Sequence, residues 1–205
     1  MTDDLNLADW FLGARLREGH GDRIALRLPE REVTYAEVAA LAARFGNGLR
    51  AAGVRPEDRV MIALPDGAEW VGAFFGILEI GAIVIMVNPG LKPANLAALF
   101  DYTRARWVVI DEGARPLFGE ATAAARWPPQ GLDIARGSAF AAAVAAAPDT
   151  LDPEPTHHDD AAIWLFSGGT TGLPKAVVQT HASFVNTTEL YAKAFLGYRE
   201  GDVTL

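Results

Sequence analysis

Residues 166–181 read FSGGTTGLPKAVVQTH, and the residue types in that stretch suit one kind of chemistry. Gly168, Gly169 and Gly172 let backbone N–H groups turn into one concavity, because glycine enters the required conformations without a Cβ clash. Ser167, Thr170 and Thr171 add hydroxyl donors, and Lys175 adds a positive charge where the stretch leaves. Such a set suits a phosphate-bearing ligand. The spacing is not that of the Walker A loop, which needs glycine beside the lysine and Ser or Thr after it; here Leu173 and Pro174 intervene and Ala176 follows. A long glycine-rich hairpin loop without a ligand is the plain alternative.

Other chemistries find little support. The chain has no cysteine, which removes thiol catalysis, thiolate metal ligation and disulfides together. Ser138 and Ser167 lack the G-x-S-x-G elbow of serine hydrolases. His157, His158, Asp159 and Asp160 are metal-ligand types, yet adjacent side chains of an extended chain point different ways and no spaced third ligand follows. No metal site is expected there. Gly46-Asn47-Gly48-Leu49-Arg50-Ala51 fits a dinucleotide fingerprint as text, but Leu41, Phe45 and Leu49 keep helical spacing through it and no strand leads in. Those glycines are expected to permit close packing. With 18 Lys and Arg against 26 Asp and Glu, the formal charge of -8 argues against a general nucleic-acid binder. Residues 1–9 are acidic and lack a basic-then-apolar leader, so a cytoplasmic protein is expected.

The elements that must hold the 166–181 stretch follow from hydrophobic period and punctuation. Half of the 205 residues are hydrophobic, enough for a substantial core. A hairpin is expected over 23–28 and 32–34, turning at Pro29. Thr34 and Glu37 form a capping box, with Val33 and Val38 as its hydrophobic staple, for a helix running to about Gly53. A strand at 60–64 follows. Residues 70–87 are apolar apart from Glu79, near the lower length limit for a membrane span. Asp66 and Glu69 as a D-x-x-E cap, with Gly81 as a left-handed stop, favour instead a buried helix and then a buried strand at 83–87. A helix over 93–102 and a strand over 107–111 continue the alternation. Alanine-rich helices are expected near 120–126 and 138–147, the second capped by Ser138. Residues 148–160, with three prolines, read as a solvated linker. Strands at 161–166 and 176–179 then flank the glycine-rich stretch. Buried strands alternating with helices need crossovers, so the fold class is α/β: a doubly wound, mainly parallel sheet flanked by helices. The expected organisation is an N-terminal α/β subdomain over 1–150, a linker over 151–160, and the start of a second subdomain over 161–205.

Residues 166–175, with Thr180 and His181 after them, resemble the phosphate-loop signature of the adenylate-forming superfamily: acyl-CoA and aryl-CoA synthetases, luciferases and the adenylation domains of peptide synthetases. Thr34-Tyr35-Ala36-Glu37, Gly53-Val54 leading to Asp58-Arg59-Val60, and Ala73-Phe74-Phe75-Gly76 before Gly81 are similar to that family's N-terminal region. Asp66-Gly67-Ala68-Glu69-Trp70 and Glu189-Leu190-Tyr191 most resemble the benzoate-CoA ligase branch. The resemblance implies activation of a small carboxylic acid, aromatic by preference, with ATP and Mg²⁺, followed by transfer to coenzyme A. It implies that Ser167, Gly168, Gly169, Thr170, Thr171, Gly172 and Lys175 hold the nucleotide phosphates and that Lys175 offsets charge on departing pyrophosphate. For His181 it leaves a catalytic and a structural hydrogen-bonding role open.

Two positions depart from the family pattern. Gly168 stands where Ser or Thr is common and Ala176 where Gly is common; the first loses one hydroxyl contact, worth about 1 kcal/mol. The family's later motifs are not in this sequence, so the N-terminal part of a longer synthetase, inactive alone, is expected. A homodimer is compatible with that reading; a nucleic-acid partner or a membrane span is not. An adenylation domain that loads a carrier protein is the alternative for the parent, and a non-catalytic structural module is the alternative for the chain by itself.

Overall fold

Ile83, Val84 and Ile85 are buried at successive positions, so the strand that holds them meets apolar surroundings on both faces. The computed structural model describes residues 4–88, 90–167 and 175–204. In chain order it contains a π-helical turn (Asp9–Gly13) running into α1 (Ala14–Arg17), the hairpin β1 (Ile24–Arg27) and β2 (Glu32–Thr34), and α2 (Tyr35–Ala52). Then come β3 (Arg59–Ala63), α3 (Ala68–Glu79), β4 (Ile83–Met86), α4 (Pro93–Thr103), β5 (Trp107–Ile110) and α5 (Arg115–Ala124). β6 (Gln130–Asp133), α6 (Ala139–Ala146), β7 (Ala161–Ser167), β8 (Lys175–Thr180) and α7 (His181–Asn186) follow, with a π-helical continuation, Thr187–Phe195.

The main sheet has six strands in the order β6-β5-β3-β4-β7-β8. All neighbouring pairs are parallel except β7 with β8. Side-chain alternation sends Val60, Ile62, Val84 and Val109 toward Phe45 and Leu49 of α2, Phe74 and Ile77 of α3, and Phe140 and Val144 of α6. Met61, Ile85, Val108 and Ile110 face the other way, onto Leu96, Leu99 and Phe100 of α4 and Ala121 of α5. Helices on both faces of a mainly parallel sheet make the doubly wound α/β fold that the alternating pattern predicts.

Local punctuation mostly behaves as expected. At α2 the capping box is complete: the Thr34 hydroxyl accepts from the Glu37 N–H at 3.2 Å, and the Glu37 carboxylate accepts from the Thr34 N–H at 2.7 Å. Gly53, at φ 97°, ends the helix in the left-handed region. Ser138 caps α6 by accepting from the Ala141 N–H at 3.1 Å. Gly81 stops α3 at φ 71°, its N–H reaching the Leu78 carbonyl. The cap expected from Asp66 does not form. Gly67 is the N-cap and receives no side-chain hydrogen bond, and with Ala68 first in the helix Glu69 falls one position short of where a capping box needs it. The fingerprint-like glycines lie inside α2 as anticipated: a Cβ on Gly46 would come 3.2 Å from the Gly76 carbonyl of α3, and one on Gly76 within 2.6 Å of the Ala42 carbonyl. Among the described residues, no helix is long and apolar enough to cross a membrane.

The segment expected to be a solvated linker is a packed strap. Glu154 N–H donates to the Glu79 carbonyl at the end of α3, and Leu5 N–H donates to the Thr156 carbonyl, both at 2.8 Å. The Thr156 hydroxyl donates back to the Leu5 carbonyl at 2.8 Å, and Glu154 covers Gly81. Backbone polar groups that would otherwise need water are paired by this route. Nor does the boundary at 160 and 161 separate two sheets: β7 joins the edge of β4, with Val84 opposite Ile163 and Ile85 opposite Trp164.

Candidate functional site

β7 is parallel to β4, so residues leaving its C-terminal end emerge at the carboxyl edge of the sheet, where open α/β folds gather their ligands. The chain then reverses. β8 returns antiparallel to β7 in register from Trp164 opposite Val178 to a last pair, Ser167 opposite Lys175. That pair holds the two ends of residues 168–174 side by side. Gly168, Gly169, Thr170, Thr171 and Gly172, the core of the predicted phosphate cradle, lie outside the described residues. Lys175 is the first residue of β8 and is exposed at that edge. The donor chemistry of the set fits an anion: backbone N–H groups, hydroxyls and an ammonium, with no carboxylate among residues 166–175.

His181 opens α7 at the other end of β8. Thr180 caps this helix, its hydroxyl accepting from the Ser183 N–H at 3.1 Å, while the Ser183 hydroxyl reaches Gln179 Oε1 at 2.9 Å. The His181 ring is 1% exposed, and its Nδ1 accepts from the Leu7 N–H at 3.0 Å. Burial pushes its pKa down to about 4, against a smaller opposing pull from Asp160. The ring is therefore neutral near pH 7, with its proton on Nε2, because Nδ1 is occupied as an acceptor. β8 has six residues, so at about 3.4 Å each it separates Lys175 from His181 by roughly 20 Å. The structure does not bring the two expected catalytic side chains together.

Two further groups stand out, one that sequence reading did not single out and one that it set aside. Glu79, the last residue of α3, has its pKa raised to about 7, chiefly by burial, with Asp9 adding and Arg50 opposing. Its Oε2 is buried and has no hydrogen-bond partner among the described residues. A polar residue at a helix end carries no sequence sign of this. The second is His157, His158 and Asp159, whose ligand-type atoms lie within 4.8 Å of one another. The expected splaying assumed an extended chain. A turn forms instead, with the Asp160 N–H on the His157 carbonyl and the Asp159 N–H on His157 Nδ1, so the turn itself occupies one ring nitrogen.

β7 and β8 thus bring Ser167 and Lys175 together at the carboxyl edge of a mainly parallel sheet. The chain belongs to the AMP-binding enzyme family, whose match covers residues 14–205. Among its relatives is the 3-hydroxybenzoate–CoA ligase of Aromatoleum sp. (strain CIB), 34% identical over 202 residues that make up 97% of this chain and 38% of that one. The benzoate–CoA ligase of Thauera aromatica is likewise 34% identical over 203 residues, again 97% of this chain and 38% of its own length. Among solved structures, the anthranilate CoA ligase AuaEII in complex with anthranoyl-AMP superposes with a TM-score of 0.91 at 30% identity, covering 98% of this chain and 40% of that one. The chain thus spans well under half the length of these relatives.

Proposed function

We propose that this chain is the phosphate-gripping portion of an AMP-forming acyl- or aryl-CoA synthetase. The observation that carries the reading is the Ser167–Lys175 pair: it closes the hairpin at the carboxyl edge of β7 and sets Lys175 beside both ends of residues 168–174. In the reaction, a carboxylate oxygen attacks the α-phosphorus of ATP, the bond to the bridging oxygen breaks, and pyrophosphate leaves. A thiol sulfur, that of coenzyme A, then attacks the acyl carbon; it loses its proton and AMP departs.

Within that scheme Gly168, Gly169 and Gly172 allow close approach of backbone N–H groups to the β- and γ-phosphates, and Ser167, Thr170 and Thr171 donate hydroxyl hydrogen bonds. Lys175 offsets the negative charge that grows on the leaving pyrophosphate. Mg²⁺, where bound, would supply further positive charge against the phosphates. His181 is a positioning residue, anchoring the start of α7 to the N-terminal segment from the far end of β8. An aromatic acid is favoured as substrate because the relatives carry the names of benzoate, hydroxybenzoate and anthranilate ligases.

The test is ATP–pyrophosphate exchange with benzoate in the whole protein that contains this chain. Lys175→Ala is expected to slow exchange by about a hundredfold or more, the scale seen when one charge-stabilising donor is removed. Unchanged exchange would overturn the role given to Lys175. Product analysis with coenzyme A and with a phosphopantetheinylated carrier protein separates a CoA ligase from a carrier-loading domain.

A further inference from the structure

A cleft of about 330 Å³ opens where the N-terminal helix, the β1–β2 hairpin, α2, α3 and the C-terminal continuation meet. No residue of β7 or β8 lines it. Trp10, Phe11, Tyr35 and Phe75 line it, each half-buried, with aliphatic side chains between them. Phe11 and Phe75 hold their rings 6.2 Å apart, and Trp10 meets Phe11 edge to face at 4.7 Å. Half-exposed aromatics converging on a concave surface of this size suit a ligand with a flat apolar body.

Two cations also line this cleft. Lys193 lies 5.3 Å from the Trp10 ring centre, and Arg15 lines both this cleft and the larger charged groove beside it. The Arg15 Nε–H is buried without an acceptor among the described residues, although Arg side chains normally satisfy such donors. Each cation also has an exposed acidic neighbour, Glu18 at 2.6 Å from Arg15 and Glu189 at 2.5 Å from Lys193. Such exposed pairs hold weakly, so neither keeps its cation from a ligand that enters the cleft.

We propose that this cleft is an accessory site for a compact aromatic carboxylate, its ring against Phe11, Tyr35 and Phe75 and its carboxylate on the Arg15 guanidinium and Lys193 Nζ. The inference does not depend on the role of residues 168–175. A neutral isostere would leave the Arg15 donor facing an amide rather than an anion, so charge as well as shape selects the ligand.

The experiment is a ¹⁵N-edited NMR titration of the whole protein that contains this chain with sodium benzoate, run beside benzamide. Saturable shifts at Trp10, Phe11, Tyr35 and Phe75 are expected, with benzamide binding at least about tenfold more weakly. Arg15→Ala and Lys193→Gln should each weaken benzoate severalfold, the exposed Lys193 change serving if Arg15→Ala fails to fold. Lys175→Ala should leave the shifts unaltered, which separates this site from the proposed nucleotide grip. Equal affinity for benzamide and benzoate, benzoate shifts confined to other surfaces, or undiminished binding by the folded Arg15 and Lys193 variants would each overturn the proposal.

Discussion

The backbone N–H of Leu7 donates to Nδ1 of His181 at 3.0 Å, across 174 positions of sequence. That hydrogen bond requires a neutral ring. With a folded pKa of about 4, against about 6.5 in the unfolded chain, His181 contributes stability that is present above pH 6.5 and lost as pH falls toward 4. The loss should approach roughly 3 kcal/mol. Urea unfolding at pH 4.5 and pH 7 measures it, and His181→Gln should remove that part of the pH dependence. An identical slope in the variant would refute the assignment.

Glu79 should tilt stability the other way. Its folded pKa of about 7 lies above the unfolded value of 4.5, so its contribution is present below pH 4.5 and disappears as pH rises to 7. Allowing for its partial exposure, the effect is about 2 kcal/mol. Glu79→Gln should gain stability relative to the parent chain as pH rises from 4.5 to 8, read as a widening gap in Tm. Because the two groups oppose each other between pH 4.5 and 6.5, each variant should unmask the slope of the other.

Asn6 is expected to be among the least replaceable polar residues. It is 9% exposed; its amide donates to the Leu78 and Glu154 carbonyls at 2.9 and 3.1 Å, and its Oδ1 accepts from the Ala8 N–H at 3.0 Å. Asn6→Ala strands these buried groups and removes a helix cap, for a loss of about 3 kcal/mol. Hydrogen exchange should quicken at Leu5, Glu154 and Thr156 before it does in β3 and β5. Uniform acceleration would count against a local role.

The contact between α2 and α3 makes an asymmetric prediction. A Cβ on Gly76 would meet backbone, the Ala42 carbonyl at 2.6 Å and the Gly46 nitrogen at 2.8 Å. On Gly46 the nearest atom, at 2.6 Å, is the movable tip of Leu151. Gly76→Ala should cost about 3 kcal/mol and Gly46→Ala about 1 kcal/mol or less, compared by chemical denaturation. The reverse order would be inconsistent with this packing.

Elements governed by near neighbours were legible in the sequence. The Thr34 box, the Gly81 stop, the Ser138 cap and the strands on either side of 168–174 all follow from residues a few positions apart. β6 was not, because its four residues bury only Leu132 and leave no alternation to detect. The N-terminal helix escaped because only Leu7, Ala8 and Leu12 are its buried hydrophobics, too few to show a period. The strap could be read only as proline-rich, since its partners at Asn6 and Glu79 lie far away in sequence. At the site, the composition of 166–175 pointed to an anion. The separation of His181 from Lys175 follows from the strand expected between them, which the structure extends to Lys175–Thr180.

The bond between Leu7 and His181 also bears on how the molecule is made. A ribosome releases residues 5–8 well before it reaches the strap and His181, so the first helix emerges without the groups that hold it, while β3, α3 and β4 can already assemble among themselves. Long-range closure of this kind is slow and comes late. Force measurements on stalled nascent chains should register the docking of residues 5–8 only once residue 181 has cleared the exit tunnel. At these contacts the expected order of folding is the reverse of the order of synthesis: residues 5–8 are translated well before the partners that secure them.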